Sequence, residues 1–497
     1  MSARSYIGVD IGTSSSKGVL VVGGVVVHTV TRDHSVSRPT PQRAEMDASV
    51  WWDDFAQITR ELVAVAEAPV SAVGVSGMGP CVLVTDAQGT PLRPAILYGI
   101  DTRAGEQIAQ LTAELGAETI VEVCGSALST QSVGPKLLWI AENEPETAAR
   151  AHMLFMPSSW LVWRLTGRYV LDHHSASQCT PLYDTRSLTW IEPWAARVAP
   201  SLELPELLWP GEIAGTVGPE AARATGLAEG TPVIAGTIDA WAEAVSVGAE
   251  HAGDLMLMYG TTMFLINTTS KRIVSDVLWG TVGALPGSYC LAAGMATSGA
   301  ITGWARELFG SPSFPSLLAE AEAAGPGSNG LLMLPYFSGE RSPLSDPDAR
   351  GTVVGLTIST TRGDFYRAAL EATAFGVRHN LQALAAAGGR VDRAVAVGGG
   401  TQGDLWTQIV SDVTGLEQVL PEVTIGASLG SAMLAARAAG ESDVDAWNPP
   451  QRVVRPREEH TARYAELFTL YRELYEQTKD VTHRLVALAA APATPTR

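Results

Sequence analysis

Short β-branched apolar runs alternate along this chain with longer stretches in which apolar residues recur every three or four positions. The first kind predicts buried strands and the second amphipathic helices, so the alternation reads as an α/β protein. Tyr6 to Asp10 is the first strand, Gly12-Thr13-Ser14-Ser15-Ser16 a small polar turn, and Gly18 to Val30 the return as one or two strands. Trp51, Phe55, Ile58, Leu62 and Val65 predict a helix over 50–67, and Val70 to Ser76 a buried strand after it. The opening pattern then recurs: Leu255 to Tyr259, the turn Gly260-Thr261-Thr262, and the returning strand Met263 to Asn267. Gly12 and Gly260 stand 248 residues apart, half the chain, which predicts two related domains. Farther on come a long helix from Gly363 to Leu384, a strand from Arg393 to Val397, the glycines 398–400 and a helix from Leu405 to Val413. Glu458 to Leu488 reads as a closing surface helix or helix pair, and Pro286, Pro326, Pro335, Pro343 and Pro347 mark a loop-rich stretch.

At 497 residues and 46% hydrophobic content the chain can build two or three cores. Its net charge of -18 argues against gripping nucleic acid or anionic lipid, while leaving small anionic ligands open. Only four residues are lysine, Lys17, Lys136, Lys271 and Lys479, so a lysine beside a candidate site carries extra weight. The four cysteines, Cys81, Cys124, Cys179 and Cys290, are scattered without metal spacing and read as reduced core residues. Asp10 interrupts the first apolar run and no run approaches membrane length, so the expectation is a soluble cytoplasmic protein with no membrane partner.

Three glycine-bearing turns follow strands: Asp10 to Lys17, Gly260 to Thr262, and Gly398-Gly399-Gly400-Thr401. Glycine lets a backbone approach phosphate closely, and flanking hydroxyls add donors, although each turn alone reads equally as a simple turn. Neither a Walker A nor a dinucleotide-binding sequence is present. Asp10, beside apolar neighbours, is either a hydrated-Mg2+ ligand or a turn cap. Asp239, after Pro232 to Ile238, is either a proton acceptor or the cap of a helix starting near Ala240.

Taken in order, these residues resemble the FGGY family of carbohydrate kinases. The carriers are Asp10-Ile11-Gly12-Thr13-Ser14, Pro94 to Tyr98 with Asp101-Thr102-Arg103, Gly236 to Ala240, Gly260 to Thr262, Gly339-Glu340-Arg341-Ser342-Pro343 with Ala349-Arg350-Gly351, and Gly398 to Asp412. They run through roughly residues 5–440. The resemblance implies an α/β fold of two duplicated actin-like, ribonuclease H-like ATPase domains flanking a catalytic cleft that closes on substrate. The domains would be 1–247 on the sugar and phosphate side and 248–440 on the adenosine side, with 441–497 a helical tail packed on the second. It implies transfer of the ATP γ-phosphate to a hydroxyl of a small sugar, a ketopentose such as xylulose or ribulose, with Mg2+. Asp239 would be the general base and Asp10 the Mg2+ ligand. Gly12, Thr13, Ser14, Gly260, Thr261 and Thr262 would meet the phosphates, with Lys17 a second-rank candidate. Gly299, Gly303, Gly399, Gly400 and Gly403 would lie along the adenosine, and Asp101 and Arg103 on the sugar side with Met78, Gly79 and Pro80.

The chain also departs from that pattern. Ser76-Gly77-Met78-Gly79-Pro80-Cys81 has no histidine where xylulose kinases carry Met-His-Gly. Tyr98-Gly99-Ile100-Asp101 is one residue longer than the usual block, Ala240 replaces a polar residue, and the Arg-Glu pair of glycerol kinases is absent. These changes predict a less polar sugar pocket and keep another polyol, a tetrose, a ketohexose or a sugar acid open as acceptor. His173 and His174 read as solvated loop residues. Two alternatives from other classes are an actin- or Hsp70-like ATP-driven conformational protein and a catalytically silent homologue, neither of which requires Asp10, Asp101, Arg103 and Asp239 together. Base rate alone makes a homodimer the expected assembly.

Overall fold

The computed structural model describes residues 4–490. The chain forms two compact units interleaved in sequence: the first holds residues up to 252 with 268–290 and 425–449, the second 253–267, 291–424 and 450 onward. A sequential division at 247 and 440 places residues 425–440 in the second unit. The structure packs them in the first, because helix Ala427–Ala438 lies on that unit's sheet.

In the first unit the strands run in the order Ile213–Thr216, Pro232–Ile234, Val70–Gly77, Ser5–Ile11, Ser15–Val22, Val25–Asp33. Ser5–Ile11 pairs antiparallel with Ser15–Val22 and parallel with Val70–Gly77. Its side chains are buried on both faces, as a central strand covered by helices requires. One cover is helix Ala48–Ala64, capped by Asp47 and burying the Trp51, Phe55, Ile58 and Leu62 stripe. The other is Ala427–Ala438, a run of small residues whose backbone comes close to the strands where they carry Gly8 and Gly74.

The second unit repeats this wiring. Asp254–Tyr259 pairs antiparallel with Met263–Thr269 and parallel with Arg393–Val397, followed by Gln418–Pro421 and Pro450–Val454. Helix Arg362–Ala386 starts at a capping box made by Thr361 and Asp364. It buries Arg367, which pairs with Glu371 at 2.8 Å and donates to the Tyr464 hydroxyl at 2.7 Å. That tyrosine comes from helix Glu458–Ala490, one continuous helix rather than a pair. The proline-marked stretch is less loop-like than its sequence suggests. It contains helices Gly299–Leu308 and Phe314–Ala324, because Pro315 falls in a first helical turn where its missing N–H costs nothing. Among the described residues no helix is long and apolar enough to cross a membrane, and all four cysteines are buried and unpaired.

Candidate active site

In the first unit, strand pairing brings the turn residues and both aspartates together. Asp10 sits near the end of its strand, opposite Lys17 on one neighbour and Ser76 on the other. The Ser76 hydroxyl donates to Asp10 Oδ1 at 2.8 Å. Thr237–Ile238 pairs with Ser76 and Gly77, and helix Asp239–Ser246 starts at once, so Asp239 emerges beside Asp10. Asp239 occupies the first helical turn rather than the cap, and its Oδ1 accepts from the Ala240 N–H at 2.7 Å. One turn later the same helix presents Glu243.

Asp10 and Glu243 share a nearby cation, Lys17, whose ammonium donates to the Ile425 carbonyl at 3.3 Å. Burial raises the Asp10 carboxyl, and repulsion from Asp239 and Glu243 raises it further against the Ser76 hydrogen bond and Lys17. Burial likewise raises Asp239 against its Ala240 hydrogen bond. Glu243 is pushed up to about 7, first by burial and then by Asp239. A buried excess of negative charge on hard oxygen donors suits a hydrated divalent cation, which takes one or two carboxylates and fills its remaining positions with water and phosphate. Among the described residues no group of three or more acidic, histidine or cysteine side chains is arranged to hold a metal ion by itself.

The turn beside Asp10 is braced from behind. Gly12 donates to the Ser15 carbonyl at 3.0 Å, and the Thr13 hydroxyl lies 3.0 Å from that of Tyr98. The Met78-Gly79-Pro80 segment continues the strand that carries Ser76, with the Met78 N–H on the Ile11 carbonyl at 2.8 Å. A Cβ at Gly79 would stand 2.7 Å from Ile238, so this segment adjoins Asp239. Asp101 and Arg103 do not face open space. Their side chains are 0% and 2% exposed, and Asp101 spends its oxygens on the Ala44 N–H at 2.7 Å and on a forked pair with Arg103 at 2.7–3.1 Å. Arg103 also pairs with Glu45 and lies over Trp139. A pair sealed in this way supports the wall behind Tyr98, its polar atoms taken by protein partners.

Sequence reasoning missed several groups here. Lys136 is buried, donates to the Leu97 carbonyl at 2.8 Å, and is lowered to about 8 by burial. Asp172, held by the Thr237 hydroxyl at 2.9 Å, is raised to about 6 by burial. Neither histidine of the 173–174 pair is a freely solvated loop group. His174 is fully buried, bonded to the Val282 carbonyl at 2.7 Å and packed against the tilted ring of Trp241, and burial lowers it to about 3. His173 is half-buried, 2.8 Å from the Tyr183 hydroxyl. Asp172 also caps its own short helix through the Ser175 N–H at 3.0 Å, but the Leu97, Thr237 and Val282 partners of this group lie on distant segments.

The second unit contains a cavity of about 730 Å³, within the size range of small-ligand sites. Gly260, Thr261, Gly299, Gly399, Gly400 and Gly403 line it, whereas Thr262 and Gly303 do not. Its walls include Tyr259, Trp406, Phe314 and Leu318, which the turn-based reading overlooked. The Tyr259 and Trp406 rings meet edge to face at 5.3 Å, and a Cβ on Gly400 would sit 2.5 Å from Trp406. The Gly260 turn is docked on helix Gly299–Leu308: the N–H groups of Ser298 and Ala300 reach the Thr261 carbonyl, and that of Gly299 the Gly260 carbonyl at 2.9 Å. A Cβ on Gly299 would stand 2.5 Å from that carbonyl. Gly299→Ala is therefore expected to displace the turn and weaken binding of a non-hydrolysable ATP analogue about 10-fold. Titration calorimetry checks this, and unchanged affinity would detach the turn from the nucleotide.

An acidic pair beside one glycine turn and an aromatic-walled cavity beside its duplicate define a two-domain, ATP-dependent phosphotransferase. Residues 5–246 match the N-terminal domain of the FGGY family of carbohydrate kinases and residues 255–439 its C-terminal domain, so the chain belongs to that family. It is 30% identical over 487 residues to xylulose kinase of Escherichia coli, covering 95% of this chain and 99% of that protein. It is also 30% identical over 500 residues to glycerol kinase 2 of Streptomyces avermitilis, covering 93% and 97%. The crystal structure of xylulose kinase from Rhodospirillum rubrum superposes with a TM-score of 0.90 at 31% identity, covering 97% of this chain and all of that one. The two actin-like domains and the sugar-kinase activity implied by the sequence are thereby borne out: the protein phosphorylates an alcohol group of a sugar with ATP.

Proposed function

We propose that the acceptor is a ketopentose of the xylulose type, that Asp239 is the general base, and that Asp10 holds a Mg2+ ion. The observation carrying this reading is the placement of Asp239 between Asp10 and the Met78-Gly79-Pro80 segment, joined to full-length similarity with xylulose kinases. Ionised Asp239 accepts the proton of the attacking hydroxyl as its oxygen bonds to the γ-phosphorus and ADP leaves. Because the transition state of such transfers is loose, position and charge stabilisation supply most of the acceleration. Thr13 and Ser14 with the Gly12 turn meet the phosphates, and Lys17 adds positive charge nearby. Bound Mg2+ would neutralise phosphate charge, with Asp10 its direct ligand and Glu243 close enough to add to the field. The aromatic cavity of the second unit takes the adenosine. Four buried unpaired cysteines suit a reducing cytoplasm.

The test is ADP release with Mg-ATP across ketopentoses, ketohexoses, pentitols, tetroses, sugar acids and glycerol. The expected result is the highest kcat/KM for a ketopentose. Preference for any other class would overturn the substrate, and no sugar-dependent ADP release at all would overturn the kinase reading of this site.

A further inference from the structure

His34 lies immediately after strand Val25–Asp33, outside every motif that carries the family resemblance, yet it touches the turn beside Asp10 twice. Its backbone N–H donates to the Ser14 carbonyl at 3.0 Å, and its Nε2 lies 2.9 Å from the Gly12 carbonyl. Its other ring nitrogen, Nδ1, lies 2.8 Å from Asp54 Oδ2 on helix Ala48–Ala64. Asp54 in turn accepts the Ser16 hydroxyl at 2.7 Å. The imidazole and the carboxylate are 7% and 15% exposed, so this chain of contacts is largely shielded from water.

Two features of the geometry give it a function. A carbonyl and a carboxylate are both acceptors, so both ring contacts are hydrogen bonds only when both nitrogens carry protons. The ring is then the cationic half of a neutral ion pair with Asp54 that braces the turn. In addition, a trans peptide points its C=O and N–H in opposite directions. Pinning the Gly12 carbonyl onto His34 therefore aims the Thr13 N–H away from the imidazole, and among the described residues no acceptor takes that N–H. An outward amide on a braced glycine turn is a ready donor for a phosphate oxygen.

We propose that His34, held doubly protonated between Asp54 and the Gly12 carbonyl, is a positioning residue that fixes the phosphate-binding turn. The proposal rests on the assignment of the Gly12–Ser14 turn to the nucleotide phosphates. Of the other charged side chains on the adjoining elements, Arg32 pairs with Glu61 on the same helix as Asp54, and Lys17 faces Asp10 and Glu243. Ser16 shares Asp54 with the ring and stands 3.5 Å from its Nδ1.

The experiment measures Mg-ADP and sugar affinity by calorimetry for the full-length protein, His34→Ala, His34→Gln and Asp54→Asn, with ¹⁵N spectra of the labelled histidine ring in the wild type. His34→Ala is expected to weaken Mg-ADP about 10-fold while sugar affinity stays within about 2-fold. His34→Gln, whose amide can still donate to Gly12, recovers part of the loss, and Asp54→Asn loses part of it. The wild-type ring nitrogens both show the protonated signature. Unchanged Mg-ADP affinity in a folded His34→Ala protein overturns the proposal, as does equal weakening of both ligands or a neutral ring in the wild type. Should His34→Ala fail to fold, His34→Gln and Asp54→Asn carry the same comparison. A wild-type protein that binds no Mg-ADP would instead overturn the phosphate assignment of the turn.

Discussion

Replacing Asp239 by Asn is expected to reduce sugar-dependent ADP release about 10³-fold while nucleotide affinity stays near wild type. The amide keeps the shape of the carboxyl but cannot take a proton from the attacking hydroxyl. A second signature follows from electrostatics. Asp10, Asp239 and Glu243 are all raised, first by burial and, for Asp10 and Glu243, then by the charge of Asp239. A carboxyl whose folded value exceeds its unfolded value binds its proton more tightly when folded, so its contribution to stability is full at low pH and is lost as pH rises through the raised value. With Glu243 raised to about 7, the window runs from the ordinary carboxylate range near 4 up to neutral pH. At pH 8 the ligand-free native protein therefore carries these ionised groups at a cost, and Asp239→Asn removes one of them. Its thermal midpoint at pH 8 is expected to be no lower than wild type while turnover collapses. The wild-type pH–rate profile is expected to show the matching sign, activity falling on the acid side at a higher pH than an unshifted aspartate would give. A variant that keeps near-normal turnover removes Asp239 from its role, and one that loses both activity and several degrees of midpoint points to damaged packing.

How much of this site was visible in the sequence depended on whether its cause was local. The strand, Gly-Thr turn and strand at 5–22 and again at 254–269 follow from β-branched runs and turn chemistry, and both stand in the structure with the same wiring. The long helices from 362 and 458 follow from period and capping. The aromatic wall at Tyr259 and Trp406 did not follow, because two aromatic residues 147 positions apart in sequence read as core until the sheet brings them together. Asp101 and Arg103 show the opposite case. Their motif was legible, but whether a motif faces a ligand or its own wall is decided by what buries it, here Ala44, Glu45 and Trp139. His34 carried no signal at all, since its partners Gly12 and Asp54 are close only across a hairpin and onto a helix.

The largest stability effect is expected from a single methyl group at Gly430. Helix Ala427–Ala438 lies so close to its neighbours that a Cβ on Gly430 would stand 1.7 Å from the Ala242 carbonyl and 3.1 Å from the Ser246 amide. Those atoms belong to helix Asp239–Ser246, and on the strand side Gly8 and Gly74 face the carbonyls of Ser428 and Ser431 with room for a Cβ only at 1.9 Å. No side chain can rotate away, because every obstacle is backbone in a regular element; relief requires one helix to move off the other. Gly430→Ala is expected to cost about 3 kcal/mol or more in the unfolding of the first unit, the upper end of overpacking penalties. Because Ala242 lies between Asp239 and Glu243 on the displaced helix, kcat should fall along with stability, whereas the cavity in the second unit should keep its nucleotide affinity. Gly303→Ala is the matched control. It also sits inside a helix, nothing lies within 4 Å of its Cβ, and it does not line that cavity, so it should leave nucleotide binding intact and stabilise by roughly 0.5–1 kcal/mol through lost freedom in the unfolded chain. Urea titrations with the two variants side by side check the pair. Equal midpoints would mean that the close approach of the helix onto Asp239's helix does not hold the site, and the catalytic aspartate would need another account of how it is kept beside Asp10.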